Sequence, residues 1–262
     1  MSGPGTGDGA PPVFEPTVRE EVCRLRRPGT RWLSTGYDGG ESRGGAAYLV
    51  SVPEGWGDVD IQAYVGQRLD AAGVAGSGPA LLTGVSMRHA RRARLDPVEA
   101  VATAGVSNPA ALPVDDAEAS SGGGPPERSA DDDTHANRRH AGTVNVVVGT
   151  ARSLAPGALP NLVAVAAEAK AATLLARVGV PGTTSDAVVA GCDPDGEEAA
   201  FSGSATPVGS AARVCVRDAV SAALDARYAD GSPPRSVDAA EYGVVSDSRA
   251  RVERVATDDP TA

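Results

Sequence analysis

Residues 160–178 read PNLVAVAAEAKAATLLARV. Proline suits the first turn of a helix, where its missing N–H costs nothing, and the stretch that follows is apolar almost all round. Beyond Asn161 in the first turn, only Glu168, Lys170, Thr173 and Arg177 interrupt it. A helix without a polar face must be covered on several sides, so this segment predicts a buried central helix. At helical spacing Lys170 shares a stripe with Val163, Ala166 and Leu174. Glu168, two residues away, faces elsewhere and is not its i,i+4 partner.

Outward from this helix, short runs rich in Val, Leu or Ala and bounded by Gly or Pro predict strands. They fall at 32–35, 46–52, 80–85, 100–106, 143–148, 187–190 and 199–202. Helical patterns recur at 60–72 and 208–226. Two or three strands often precede each helix, which suits a mixed sheet better than strict βαβ repetition. The expected fold is therefore α/β, with α+β as the neighbouring class: a mixed β-sheet packed with about three main helices in a single domain. No internal repeat is visible.

Soft segments bound this domain. The opening MSGPGTGDGAPP buries nothing, and residues 1–20 read as a disordered N-terminal tail. The folded domain runs over 21–229 and carries a flexible insertion at 115–139, where SSGGGPP and ADDD occur. Residues 230–262 open on GSPPR and form a C-terminal extension whose EYGVVSDSRARVERV supplies one or two more strands.

Composition narrows the function classes. The 262 residues carry a net charge of −10, with 34 acidic side chains against 24 basic ones; 23 of the basic residues are Arg and one is Lys. An acidic, lysine-poor surface stays hydrated in concentrated salt, which points to a halophilic cytoplasm; high-GC codon bias is the other source of the same pattern. Acidity argues against a nucleic-acid partner, since phosphate contacts need a basic face. The local cluster Arg88, Arg91, Arg92 and Arg94 reads as a solvated face or a carboxylate-binding patch. Cys23, Cys192 and Cys215 are odd in number and form no C-x-x-C, as expected of reduced cytosolic thiols. Neither a signal peptide nor a membrane span is expected.

Several chemistries lack their motifs. No Cys/His metal spacing, H-E-x-x-H or EF-hand loop occurs, so no structural metal is expected. GVPGTTS at 179–185 lacks the G-K-[ST] ending of a phosphate loop, and no G-x-S-x-G elbow is present. Asp133-Thr-His135 begins like a D-x-H-x-x-G cobalt-ligating pattern, but Arg138 stands where glycine belongs, and coincidence is the reading. His89, clear of the insertion, reads as a hydrogen-bonder.

Four strand ends do carry information: STGYDGG (34–40), TAGVSNP (103–109), GTVN (142–145) and PGTTSD (181–186). Each joins a glycine, permitting close backbone approach, to hydroxyl, amide or carboxylate groups, the makings of a polar small-molecule pocket. Lys170 sits between them in sequence. A charge in an apolar wall must be paired or neutralised, and burial lowers a lysine pKa. Lysine can then exchange a proton where arginine cannot. The single lysine is thus either a functional base, a buried structural ion pair, or a side chain snorkelling to the surface.

These segments, in this order, resemble the adenosylcobinamide amidohydrolase family. The matching stretches are STGYDGG, LLTGVSM (81–87), VATAGVSNPAA (101–111), GTVNVVV (142–148), LPNLVAVAAEAKAATLL (159–175), GTTSDAVV (182–189) and SGSATPVG (202–209). The resemblance implies hydrolysis of the amide joining cobyric acid to aminopropanol in adenosylcobinamide, a step in corrinoid salvage. It implies a small-molecule corrinoid partner and no protein-bound cofactor, cobalt arriving within the substrate. The loop before Asp186 is shorter than the family pattern, with Ser185 in place of Thr.

Amide hydrolysis needs a nucleophile, a base, oxyanion donors and an acid for the leaving amine. Lys170 is a candidate to activate a water or the Thr184 hydroxyl, and Glu168 or Asp186 to act as base instead. Asn108 and Asn145 are candidates to bind the oxyanion or the corrin's peripheral amides. Ser34, Thr35, Asp38, Thr183 and Ser185 complete the expected substrate-binding set.

Overall fold

The computed structural model describes residues 11–53, 59–74, 76–114 and 142–255; the expected insertion at 115–139 lies outside them. Three helices form where the periodicity places them. α1 (Ile61–Ala71) begins at Asp60, whose carboxylate accepts from the Ala63 N–H at 3.0 Å. α2 (Ala158–Val178) ends at Gly179, where φ of 79° lets the chain leave the helix and its N–H reach the Leu175 carbonyl at 3.1 Å. α3 (Pro207–Arg227) is capped by the Thr206 hydroxyl, which accepts from Gly209 N–H at 3.1 Å, with proline in the first turn.

The strands are β1 (Glu15–Arg19), β2 (Val22–Ser34), β3 (Gly40–Ser51), β4 (Ala80–Thr83), β5 (Arg91–Leu95), β6 (Val98–Ala104), β7 (Pro109–Ala111), β8 (Val144–Thr150), β9 (Ser153–Leu154), β10 (Gly182–Thr183), β11 (Ala187–Cys192), β12 (Glu198–Ala199) and β13 (Val244–Val245). The main sheet is mixed, in the order β4-β3-β2-β11-β8-β6-β5, with β1 pairing along the first half of β2. β8 and β11 are parallel and joined through α2, a crossover unit that lays this helix on the sheet. Two small sheets, β10-β7-β13 and β9-β12, sit beside it.

Every residue of β6 and β8 is buried, so both faces of the sheet centre are covered. Val98, Ala100, Ala102, Val144, Val146 and Val148 face α2 and α3, joining Leu162, Ala166 and Leu174 of α2. Alternate residues Val101, Val147 and Val189 face the other way, against Phe14, Leu25, Trp32, Leu49 and Leu81. That second layer is the sheet itself, which curls back so that β4 meets β8: Asn145 Nδ2 donates to the Leu82 carbonyl at 2.8 Å. By length and apolar content α2 resembles a membrane span; its buried side chains instead pack on the sheet and on α3.

Three expectations change. The strand expected at 32–35 is the end of β2, which begins at Val22. The tail assigned to 1–20 ends too late, because β1 pairs with β2 from Glu15↔Arg26 to Arg19↔Val22. Val13 and Phe14 are buried just before it, and their N–H groups donate to the Glu99 carboxylate at 3.0 and 3.4 Å. Glu99 is fully buried and is paired by Arg92, with Arg94 further out. Arg92 and Arg94 of the basic cluster thus bind the carboxylate that anchors the start of the folded chain, while Arg88 and Arg91 bond to His89 and to backbone carbonyls. The strand expected at 199–202 is confined to Glu198–Ala199. Beyond it the chain turns so that the Ser202 hydroxyl can donate to the Ala158 carbonyl at 2.6 Å, at the start of α2.

All three cysteines are free and buried. Burial pushes the Cys23 thiol up to about 12 and Cys215 up to about 11. In the unfolded chain these thiols ionise near 8.5 (approximately), so above that pH the folded state holds more protons than the unfolded one. The stability they contribute is complete below about pH 8.5 and is lost as pH rises through 11 to 12. A melting series across this alkaline range should fall steeply, and Cys23→Ala should flatten it. An unchanged slope in that variant would remove the thiol as the cause.

Candidate functional site

The sheet register brings the polar segments to one edge. Asn145 of β8 lies opposite Thr103 of β6 and Ala187 of β11, while Val189 lies opposite Ser34 of β2. The end of β6, the starts of β8 and β11 and the end of β2 therefore converge. Thr35 closes that edge: its N–H donates to the Val188 carbonyl at 3.0 Å, and its hydroxyl accepts from Val188 N–H at 2.9 Å.

Beneath the edge, Lys170 of α2 forms an ion pair with Asp186. The two side chains are 11% and 9% exposed, so the pair is buried. Asp186 also accepts from the Thr183 N–H at 3.0 Å, from the Thr183 hydroxyl, and from Val144 N–H at 2.9 Å. One carboxylate thereby ties the helix, the 183–186 turn and the start of β8 together. Gly182 is required for it: a Cβ there would stand 2.7 Å from Asp186 Oδ2 and 3.3 Å from Lys170 Nζ. Lys170 is thus held in a buried ion pair rather than reaching the surface.

The pair holds up a rim of hydroxyls. Thr184 and Ser185 are exposed at the tip of the turn. Asn108, fully buried, donates from Nδ2 to Thr184 Oγ1 at 2.6 Å, and Thr184 N–H donates to the Asn108 carbonyl at 3.2 Å. Ser185 Oγ lies 2.9 Å from Thr143 Oγ1 and donates to the Gly142 carbonyl at 3.3 Å. The loops approach so closely that a Cβ on Gly142 would fall 2.3 Å from Asn108 Oδ1. Because Thr184 Oγ1 accepts from the amide, its own hydrogen is left to donate outward. It faces a cavity of about 420 Å³ between Asn108 and Thr184 on one side and residues of the C-terminal segment, Val237 to Val244, on the other.

The remaining candidates do not line this cavity. Asn145 projects from the opposite face of the sheet and uses both ends of its amide, donating to Leu82 and accepting from Ala187 N–H at 3.2 Å. Ser34 accepts from Gly36 N–H at 3.1 Å. Asp38, at φ 49°, lines a separate cavity of about 170 Å³ with Tyr37, Gln62 and Leu82. Glu168 stands on the exposed side of α2 in an ion pair with Arg213 and does not join Lys170. His89 accepts from Arg88 Nε at 2.9 Å; partial burial and the Arg88 charge hold its pKa down. Among the described residues no group of three or more His, Cys, Asp or Glu is placed to hold a metal ion. The strand expected in EYGVV forms as β13, but nothing in its sequence marks it as a wall of this cavity.

The profile of the adenosylcobinamide amidohydrolases matches residues 14–232 of this chain. An adenosylcobinamide amidohydrolase of Halobacterium salinarum is 53% identical over 244 residues, covering 92% of this chain and 100% of that protein. One from Methanosarcina mazei is 25% identical over 205 residues, covering 74% and 90% respectively. Among solved structures, an L-aminopeptidase D-Ala-esterase/amidase from Ochrobactrum anthropi aligns with a TM-score of 0.39 and 11% identity, over 82% of this chain and 84% of that one.

Proposed function

This chain belongs to the adenosylcobinamide amidohydrolase family, and from that premise we propose that it hydrolyses the amide between cobyric acid and aminopropanol at the edge built by Asn108 and Thr184. The observation that carries the placement is a hydroxyl held by a buried amide at the wall of a cavity. The substrate is a corrinoid and brings its own cobalt. The acid excess and single lysine support a salt-rich cytoplasm as its setting.

In this reading the scissile carbonyl oxygen accepts from Thr184 Oγ1. Water attacks the carbonyl carbon, and the carbonyl electron pair moves onto the oxygen facing Thr184, a donor already oriented for it. As that pair returns, the C–N bond breaks. The nitrogen takes both protons of the attacking water and leaves as the ammonium, and the carboxylate stays on the corrinoid. The products are adenosylcobyric acid and 1-amino-2-propanol.

Lys170, Asp186 and Thr183 act as positioning residues: they hold the turn that presents Thr184 and Ser185. Ser185, exposed at the tip of the turn, offers its hydroxyl oxygen to the corrin's peripheral amides. Glu168, paired with Arg213 on the exposed side of α2, has no part in the reaction. Incubating the purified protein with adenosylcobinamide should release 1-amino-2-propanol and adenosylcobyric acid in equal amounts. Tight binding without release would replace the hydrolase by a corrinoid carrier.

A further inference from the structure

We propose that the C-terminal segment 237–246 is the outer wall of the substrate cavity and that Glu241 within it binds the aminopropanol arm, an inference resting on the amidohydrolase reading above. The segment is built onto the site. β13 pairs in parallel with β7, Val244 opposite Ala110 and Val245 opposite Ala111. Tyr242 N–H donates to the Ser107 carbonyl at 3.3 Å, and Ser246 N–H to the Ala111 carbonyl at 3.0 Å. At Gly243 the chain runs so close that a Cβ would stand 2.7 Å from the Pro109 carbonyl oxygen. Residues 107–109 belong to the same loop as Asn108, which fixes Thr184, and β10 of the Thr184 turn pairs with the other edge of β7. One small sheet thus joins the wall to the proposed reaction centre.

The chemistry of the wall fits the arm. A cavity of about 420 Å³ lies in the range of small-ligand sites and is too small for a whole corrinoid. It takes the arm while the macrocycle stays at its mouth. Among the described residues lining it, Glu241 is the one carboxylate. The other acidic candidates are committed elsewhere, Asp186 to Lys170 and Glu168 to Arg213. Aminopropanol presents a hydroxyl before cleavage and an ammonium as well after it, and a carboxylate accepts hydrogen bonds from both. The family profile ends at residue 232, so the wall lies beyond the stretch that the profile matches.

The test uses the full-length protein with adenosylcobinamide as substrate. Glu241→Gln should raise KM about tenfold, the worth of one hydrogen bond to a charged group, with kcat within about threefold of wild type. Glu241→Asp should recover part of that loss. Gly243→Val, which forces the wall off Pro109, should raise KM at least as far, with faster tryptic cleavage at Arg235 or Arg249 and an unchanged circular dichroism spectrum. An unaltered KM in Glu241→Gln, or a loss confined to kcat, overturns the proposal. No turnover by the wild-type protein would sink the hydrolase reading instead. Titrating adenosylcobinamide into wild type and Glu241→Gln would then still decide the wall, equal affinities refuting it.

Discussion

Methionine in place of Lys170 is expected to abolish aminopropanol release and to lower stability by about 3–5 kcal/mol, the cost of leaving one member of a buried pair uncompensated. Asp186 is as buried as its partner and loses the ammonium that neutralises it. Its three remaining donors, Thr183 N–H, the Thr183 hydroxyl and Val144 N–H, keep the cost toward the lower end. Adding Asp186→Asn removes the orphaned charge and should restore much of the stability. Turnover should stay low in the double variant, since the turn carrying Thr184 is no longer clamped to α2. Urea unfolding and a product assay read the two effects separately. Full turnover in Lys170→Met would strip the pair of its positioning role. Unchanged stability would mean that the pair is not buried in solution.

The central elements were legible because their signals are local. The apolar periodicity of 160–178 and the Val-rich runs of β6, β8 and β11 depend on neighbours in sequence, and the structure places them within a few residues of expectation. β5 escaped because RRARL reads as a charged loop until Glu99 is known to be buried behind it. β1 escaped for a related reason: EPTVR has little apolar content and gains its place by pairing with β2.

The site divides along the same line. Asn108, Thr184 and Asp186 sit in turn motifs whose chemistry is visible residue by residue. The Lys170–Asp186 pair spans 16 positions through the crossover into β11, and helix spacing cannot reveal such a partner. Glu168 was attractive only for standing beside Lys170 in sequence, yet two residues along a helix point it toward Arg213. The wall at 237–246 is wholly tertiary, and no local pattern announces it as part of a site.

The sharper question is whether Thr184 is chemistry or scaffold, and its exposure makes the experiment clean. Valine at Thr184 keeps the shape of the turn tip but removes the hydroxyl. The loss expected is about 10²–10³-fold in kcat, typical of removing one donor to a developing oxyanion. Serine at the same position restores the hydroxyl and should stay within about tenfold of wild type. Asn108→Ala should produce a similar fall in kcat, because it frees the hydroxyl to rotate away from the cavity. Asn108 is fully buried, so its variant also loses stability, whereas a melting curve should show little change for Thr184→Val. If amide and hydroxyl act as a unit, the double variant should be scarcely worse than either single one, since residues that share one task are not additive. Independent, multiplying losses would mean that Asn108 serves the substrate directly. A Thr184→Val enzyme within about threefold of wild type would remove this hydroxyl from the reaction.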